Sequence, residues 1–418
     1  MNRTIPPKYS QAQDLTLVHP EKIELHNGVE LYWLKDVKDD SVKLDIEWDA
    51  GSKHQHKKLA ATFTNKLMLS GNEEYTAKQI AEEIDFFGGY TQLESDKDHA
   101  GIVLYGLVEN IEAIFDVFKH AFKSLSYPES EFSKERNIAI NKFKVDSQKV
   151  KTLCRRAFTK NLFGENAPYG QVASEDDFHK INSEDLRLYF KEKYYKAPVI
   201  FLTGNVDEGF IENIKRWTER FIPIDIKPKV QSFDQVKGPV YVKKEDAIQS
   251  AIRIGRLMFK KDHPDYFKFQ LLNTILGGYF GSRLMANIRE DKGFTYGIGS
   301  GMAVIQDAGY FFITTEVGKD IKDAAIKEIY FELDKLKENL ISEDELTKVK
   351  NYMLGEFLRQ ADGPIAMMEI FKNLYFNKLT DTYYSDFIKA IHSATSEDLQ
   401  ELAKKYFVKE EMLEVVAG

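Results

Sequence analysis

The chain has 418 residues, of which 43% are hydrophobic and 30% charged, with a formal net charge of −8. That length holds two to four ordinary domains with sizeable cores, and the acidic balance argues against nucleic acid as the main partner. Cys154, the single cysteine, has no intrachain disulfide partner and fits a reducing compartment. No apolar run approaches the roughly 20 residues that span a bilayer. The N-terminal stretch MNRTIPPKYSQAQ lacks the apolar centre of a signal peptide. The expectation is a cytoplasmic chain without a membrane partner, or a periplasmic one if a leader was removed.

Residues 1–20 are polar, carry Pro6, Pro7 and Pro20, and read as an extended arm. Lys22 to Leu34 reads as a hairpin turning at His26-Asn27-Gly28, since Asn-Gly between apolar runs is a strong hairpin signal. Val42 to Trp48 alternates as a half-buried strand does, and Gly51 ends it. Apolar spacing predicts helices over Leu59–Leu69 and Thr76–Phe87, then a strand pair through His99 and Tyr105. A phenylalanine-rich helix follows over Asn110–Leu125, with core as its evident role. Another starts near Glu131 and runs past Phe143. Ser183 to Tyr195 reads as a helix capped by Ser-Glu-Asp-Leu, and Pro198 opens the apolar strand VIFLTG.

Farther along lies GGYFGSRLMANIREDKGFTY, from Gly277 to Tyr296. Ser282 has the chemistry of an N-cap. Leu284, Met285 and Ile288 recur at helical spacing, and Gly293 sits where a left-handed stop belongs. Arg289 then lies in the last turn. Tyr296 enters a strand, TYGIGSGMAV. Both are hydrogen-bond donors on elements expected to fold back on each other, within reach of one peptide carbonyl.

The chain also repeats itself. SEDLRLYFKEKYYKAPVIFLTG from Ser183 resembles SEDLQELAKKYFVKEEMLEVVAG from Ser396, an offset of about 213 residues. FSKERN at Phe132 resembles LTKVKN at Leu346, and ENIEA at Glu109 resembles DIKDA at Asp320, at nearly the same offset. Three matches in one order indicate a duplication. The predicted class is α+β, with two homologous domains that each pack a mixed, mainly antiparallel sheet against helices. Their predicted bounds are 15–222 and 238–418, joined by a proline-containing linker over 223–237.

The duplication and the Arg289/Tyr296 stretch together resemble the M16 metallopeptidases, which include pitrilysin, insulin-degrading enzyme and the mitochondrial processing peptidase. GVELYWLKDVKDDSVKLDIEWDAGSKHQ is similar to the family's first hairpin and strand, and APVIFLTGNVD to the strand closing its first domain. SRLMANIREDKGFTY is similar to its arginine–tyrosine motif, with the same spacing of seven. The resemblance implies two halves enclosing a chamber for an extended peptide substrate.

Active members carry His-x-x-Glu-His on a first-domain helix. There, two neutral imidazoles hold zinc and the glutamate serves as base. In this chain the positions of the two histidines are Thr62 and Lys66, and that of the glutamate is Asn65. The third ligand, a glutamate about 75 residues later in the family, falls on Asn141 or Lys142. Ammonium groups repel a cation, and no two of the nine histidines are three or four residues apart. The expectation is that this chain holds no zinc or other cofactor. It resembles the non-zinc subunit of two-chain members, which implies pairing with a zinc-bearing M16 subunit. Alone it is expected to be inactive, with a homodimer as an alternative pairing when it is expressed by itself. In the complex, Tyr296 would donate to the developing oxyanion and Arg289 would hold a substrate carbonyl. Gly89-Tyr90-Thr91 aligns with the edge strand that pairs with substrate in active members.

Other readings compete with these. A scaffold or peptide-holding subunit, like the related core subunits of respiratory complexes, would carry the same degenerate zinc positions, but it has no need of Arg289 and Tyr296. An enzyme of unrelated chemistry would need a Ser-His-Asp or Cys-His set, and none has supporting context. His54-x-His56 is able to serve a metal, but it lies in the lysine-rich GSKHQHKK, which reads as a solvated loop. Gly277, Gly278 and Gly281 lack the Gly-Lys-Ser/Thr of a phosphate loop. Arg289 and Tyr296 also admit a plain reading, as a helix-end cation and a strand aromatic.

Overall fold

A computed structural model describes residues 18–35, 37–224 and 232–418. The arm expected over 1–20 lies outside the described residues through position 17. The linker expected over 223–237 does so at 225–231.

The first half opens on the expected hairpin, β1 (Glu21–Glu24) paired antiparallel with β2 (Glu30–Leu34). Its turn needs positive φ, supplied by Asn27 at 58° and Gly28 at 77°. Three longer strands, β3 (Ser41–Trp48), β4 (Tyr90–Ser95) and β5 (Ala100–Leu107), and the buried β6 (Val199–Thr203) complete a six-stranded sheet ordered β1-β2-β6-β3-β5-β4. Strand β4 is therefore an edge, and its Tyr90 is exposed. The expectation of a half-buried β3 needs correcting. This central strand is buried on both faces, and Lys43 and Asp45 form a buried ion pair at 3.0 Å.

The helices of this half are α1 (Ala60–Lys66), α2 (Ala77–Phe86), α3 (Ile111–Lys123), α4 (Glu129–Asp146), α5 (Val150–Phe163), α6 (Glu175–Lys180), α7 (Ser183–Lys193) and α8 (Glu208–Thr218). Phe115, Phe118 and Phe122 of α3 are fully buried and meet Trp217 of α8 at 5.5–5.7 Å in edge-on contacts. Trp48 stacks on Phe122 at 5.6 Å. Such rings bury large apolar areas, so this cluster anchors the sheet to its helices. The cap of α7 is Asn182 rather than Ser183: Asn182 accepts from the Asp185 amide, and Asp185 accepts from the Asn182 amide in return.

The second half contains β7 (Gly238–Val242), β8 (Gln249–Met258), β9 (Ile298–Ile305), β10 (Ala308–Gly318) and β11 (Leu413–Ala417). Its helices are α9 (Tyr266–Asn273), α10 (Lys322–Glu338), α11 (Glu343–Gln360), α12 (Pro364–Asn377), α13 (Tyr383–Ser393) and α14 (Ser396–Tyr406). Its pairings repeat those of the first half. Strand β11 lies parallel to β7 as β6 does to β2, and β10 lies antiparallel to β8 as β5 does to β3. Helices α7 and α14 both start at a capping box and precede the matched strands β6 and β11. The fold is thus α+β and duplicated.

Compact units divide differently from the repeat. One holds residues 19–247, 305–307 and 413–418; the other holds 248–304 and 308–412. Strands β7 and β11 go with the first because α5 packs on β11, where the Cys154 thiol donates to the Val415 carbonyl at 3.3 Å.

The first unit contains a buried polar network. The Lys53 ammonium lies 2.9 Å from Asp98 and 3.3 Å from Asp307, and also donates to Gln306. Asp98 accepts from the Tyr169 hydroxyl and, at 2.9 Å, from the Gln306 amide. Burial, with the nearby Asp98 charge, pushes the Tyr169 hydroxyl far up, so it stays a donor. Gly51 is required here, because a Cβ would sit 2.3 Å from the Asp98 backbone. Beside the network, burial holds the His99 imidazole below its usual value against the attraction of Asp96, Asp49 and Asp98. A depressed folded-state value means stability that is complete above the unfolded value of about 6.5 and declines as pH falls toward the folded one. Replacing His99 by Gln is therefore expected to flatten the fall in melting temperature between about pH 7 and 5. An unchanged slope would contradict this.

Candidate functional site

Arg289 and Tyr296 hang from an unusual stretch of backbone. Helix α9 runs directly into a π-helical turn, Thr274–Gly278. Gly277 in that turn is needed for close approach, since a Cβ would lie 2.6 Å from the Ser300 amide of β9. The Ser300 hydroxyl ties the two elements by donating to the Asn273 carbonyl at 3.2 Å. A second π-helical segment, Met285–Asp291, carries Arg289 in its last turn. Leu284, Met285 and Ile288 are buried as the spacing predicted. Two expectations need correcting. The segment is π-helical rather than α-helical, and Ser282 does not cap it with its side chain. Its hydroxyl is buried without a partner among the described residues, while its carbonyl accepts from Ala286. Single π turns are concentrated at functional sites. Gly293, at φ 65°, provides the expected stop, and the Phe294 amide closes back on the Ile288 carbonyl at 2.9 Å.

The Arg289 guanidinium lies over the Phe280 ring at 4.6 Å from its centroid. Tyr296 is 96% exposed. Its turn is nevertheless fixed: the Thr295 hydroxyl donates to the Glu316 carbonyl at 2.7 Å, and the Thr315 hydroxyl donates to the Gly297 carbonyl at 2.9 Å. Among the described residues no hydrogen bond or ion pair engages the Arg289 guanidinium or the Tyr296 hydroxyl. Two strong donors are thus held on braced backbone with their donating capacity unspent. That arrangement suits hydrogen bonding to an oxygen on which negative charge develops.

The other candidate positions lie on α1 and α4. Thr62 and Lys66 are exposed, and Asn65 is buried. The Asn65 side chain donates to the Glu94 carbonyl of edge strand β4 at 2.7 Å and accepts from the Tyr194 hydroxyl at 3.0 Å. A neutral amide is no general base, so Asn65 works here as a brace. The Lys66 ammonium pairs with Glu135 of α4. Asn141 and Lys142 are exposed on the same helix, two turns beyond Glu135. These residues do not fit zinc. The helix offers a hydroxyl, an engaged amide and an ammonium, and the facing carboxylate already has a cation. His54 and His56 diverge, His54 to Asp49 at 2.8 Å and His56 toward Glu192 at 3.8 Å. Among the described residues no group of three His, Cys, Asp or Glu side chains is arranged to hold a metal, and no helix is long and apolar enough to cross a membrane.

Sequence reasoning missed Phe280, the Thr295–Thr315 brace and Glu135. Glu135 was within reach, because it precedes Lys142 by seven residues and so shares its helix face.

Comparison with known proteins agrees with this architecture. Residues 33–172 match the model described as insulinase (peptidase family M16), and residues 180–353 match the peptidase M16 inactive domain. A relative in Bacillus subtilis, the uncharacterized zinc protease YmxG, is 23% identical over 82% of this chain and 84% of its own. Zinc protease PqqE of Helicobacter pylori is 20% identical over 93% and 90%. The crystal structure of a peptidase M16 inactive domain from Pseudomonas fluorescens superposes with a TM-score of 0.85 at 22% identity, covering 96% of this chain and 98% of that one.

Proposed function

Because the chain belongs to the M16 peptidase family, we propose that it is a zinc-less subunit that completes a peptidase with a zinc-bearing M16 partner. In this reading Tyr296 donates a hydrogen bond from its hydroxyl to the carbonyl oxygen of the scissile peptide as that oxygen gains charge. Arg289, steadied by Phe280, donates to a neighbouring carbonyl and fixes the register of an extended peptide. The zinc belongs to the partner. The observation that carries the reading is the pair of unengaged donors on braced backbone. The Lys66–Glu135 pair is also compatible with a scaffold subunit, but a scaffold gains nothing from leaving Arg289 and Tyr296 unspent.

The experiment is made on the purified chain alone. Elemental analysis is expected to find no stoichiometric zinc, and unstructured peptides such as insulin B chain are expected to stay intact. About one tightly held zinc per chain, or cleavage that follows the chain through several columns, would refute the proposal.

A further inference from the structure

A cavity of about 370 Å³ opens among α9, α11, α12 and α13. Half of its lining residues are aromatic, among them Tyr266, Phe267, Phe357, Tyr383, Tyr384 and Phe387. Their rings are fixed by one another. Phe357 stacks on Tyr384 at 5.1 Å with an 11° interplanar angle, and Phe267 meets Tyr383 edge-on at 4.8 Å. One cation reaches the cavity, Lys261. Its ammonium donates to the Asn373 side chain, whose own amide donates to the Tyr384 hydroxyl at 2.7 Å. No carboxylate pairs with Lys261 among the described residues. Glu356, which also lines the cavity, is already held by Arg359 in two contacts of 3.2 and 2.7 Å. Burial lowers the Lys261 pKa, and no neighbouring charge offsets it. Rigid rings around an uncompensated ammonium make a site for a ligand with an apolar body and one anionic end. The volume is near the low end of the ~300–1,000 Å³ typical of small-molecule sites, so the ligand is small.

We propose that this cavity binds a monocarboxylate with a single flat apolar body, the carboxylate on Lys261 and the body against the surrounding rings. A free aromatic acid and the C-terminal residue of a peptide share that chemistry. The proposal stands independently of the peptidase reading.

The test is calorimetric titration of the full chain. The probes are N-acetyl-L-phenylalanine, its amide, and a pentapeptide ending in phenylalanine with a free or an amidated C-terminus. At least one of the two acids is expected to bind saturably, one per chain, with its amide at least about tenfold weaker, as loss of a charge-assisted contact implies. Binding of the amino-acid probe alone assigns a free small acid, and binding of the pentapeptide assigns a peptide C-terminus. Lys261→Met should bring the acid down to the level of its amide and leave the amide unchanged. Tyr383→Ala should weaken both. Equal binding of acid and amide to the unmodified chain overturns the proposal without needing any variant to fold. So does saturable binding of neither acid.

Discussion

Tyr296→Phe is expected to lower kcat and kcat/KM together, by at least about tenfold or about 1.4 kcal/mol, in a complex reconstituted with the zinc-bearing partner. The substitution removes one hydroxyl and nothing else. At 96% exposure the ring has almost no packing to lose, and the Thr295–Thr315 brace does not involve it. A fall in both constants therefore reports a contact made in the transition state. Comparable donors in other hydrolases are worth roughly 10²–10³ in rate. Arg289→Ala should act mainly on KM, because a clamp on a substrate carbonyl also binds the ground state. Its structural cost is the stacking of the half-buried Arg289 on the exposed Phe280 ring, about 0.5–1 kcal/mol. Neither change should unfold the chain. Steady-state cleavage of a quenched fluorescent peptide measures both. Unchanged constants with partner binding intact would remove the catalytic role and leave the scaffold reading.

Asp98→Ala is expected to cost about 3–5 kcal/mol of stability, the range for removing one partner of a buried ion pair. Asp98 and Lys53 have side chains only 8% and 6% exposed. Without the carboxylate, Lys53 keeps Asp307 at 3.3 Å as its remaining anion, and the Gln306 amide and the Tyr169 hydroxyl each lose an acceptor. The exposed Lys66–Glu135 pair is the control: Lys66→Met should cost no more than ~1 kcal/mol. Urea unfolding followed by circular dichroism compares the two. An unfolding midpoint for Asp98→Ala within error of the unmodified chain would contradict the assigned role of the network.

Most elements were legible because their signals are local. Asn27-Gly28 fixed a hairpin, the phenylalanine spacing of α3 fixed a buried face, and Gly293 fixed a helix stop. The duplication was legible because α7 and α14 keep the same cap chemistry ahead of strands with the same pairing. What escaped depends on contacts distant in sequence. The burial of Lys43 and Asp45 follows from β3 lying between β6 and β5, and a single strand's pattern does not reveal its neighbours. The Lys53–Asp98–Asp307 network joins residues separated by more than 200 positions. The π register around Arg289 has no periodicity that separates it from an α-helix over seven residues. At the candidate site the sequence singled out Arg289 and Tyr296 by their spacing around a glycine stop. That Phe280 steadies one of them, and that the Thr295 turn fixes the other, required the fold.

The central claim is that activity requires two chains and that this one contributes donors rather than metal. Its most direct test is reconstitution. A partner with an intact His-x-x-Glu-His, recovered by copurification from the native source, is assayed alone, with this chain, and with the Arg289→Ala/Tyr296→Phe double variant. Zinc is quantified in each separated subunit. The account predicts that peptide cleavage appears only on mixing, that zinc stays with the partner, and that the double variant binds the partner while supporting at most about a tenth of the rate. Full activity of the partner alone, or an unchanged rate with the double variant, would contradict it.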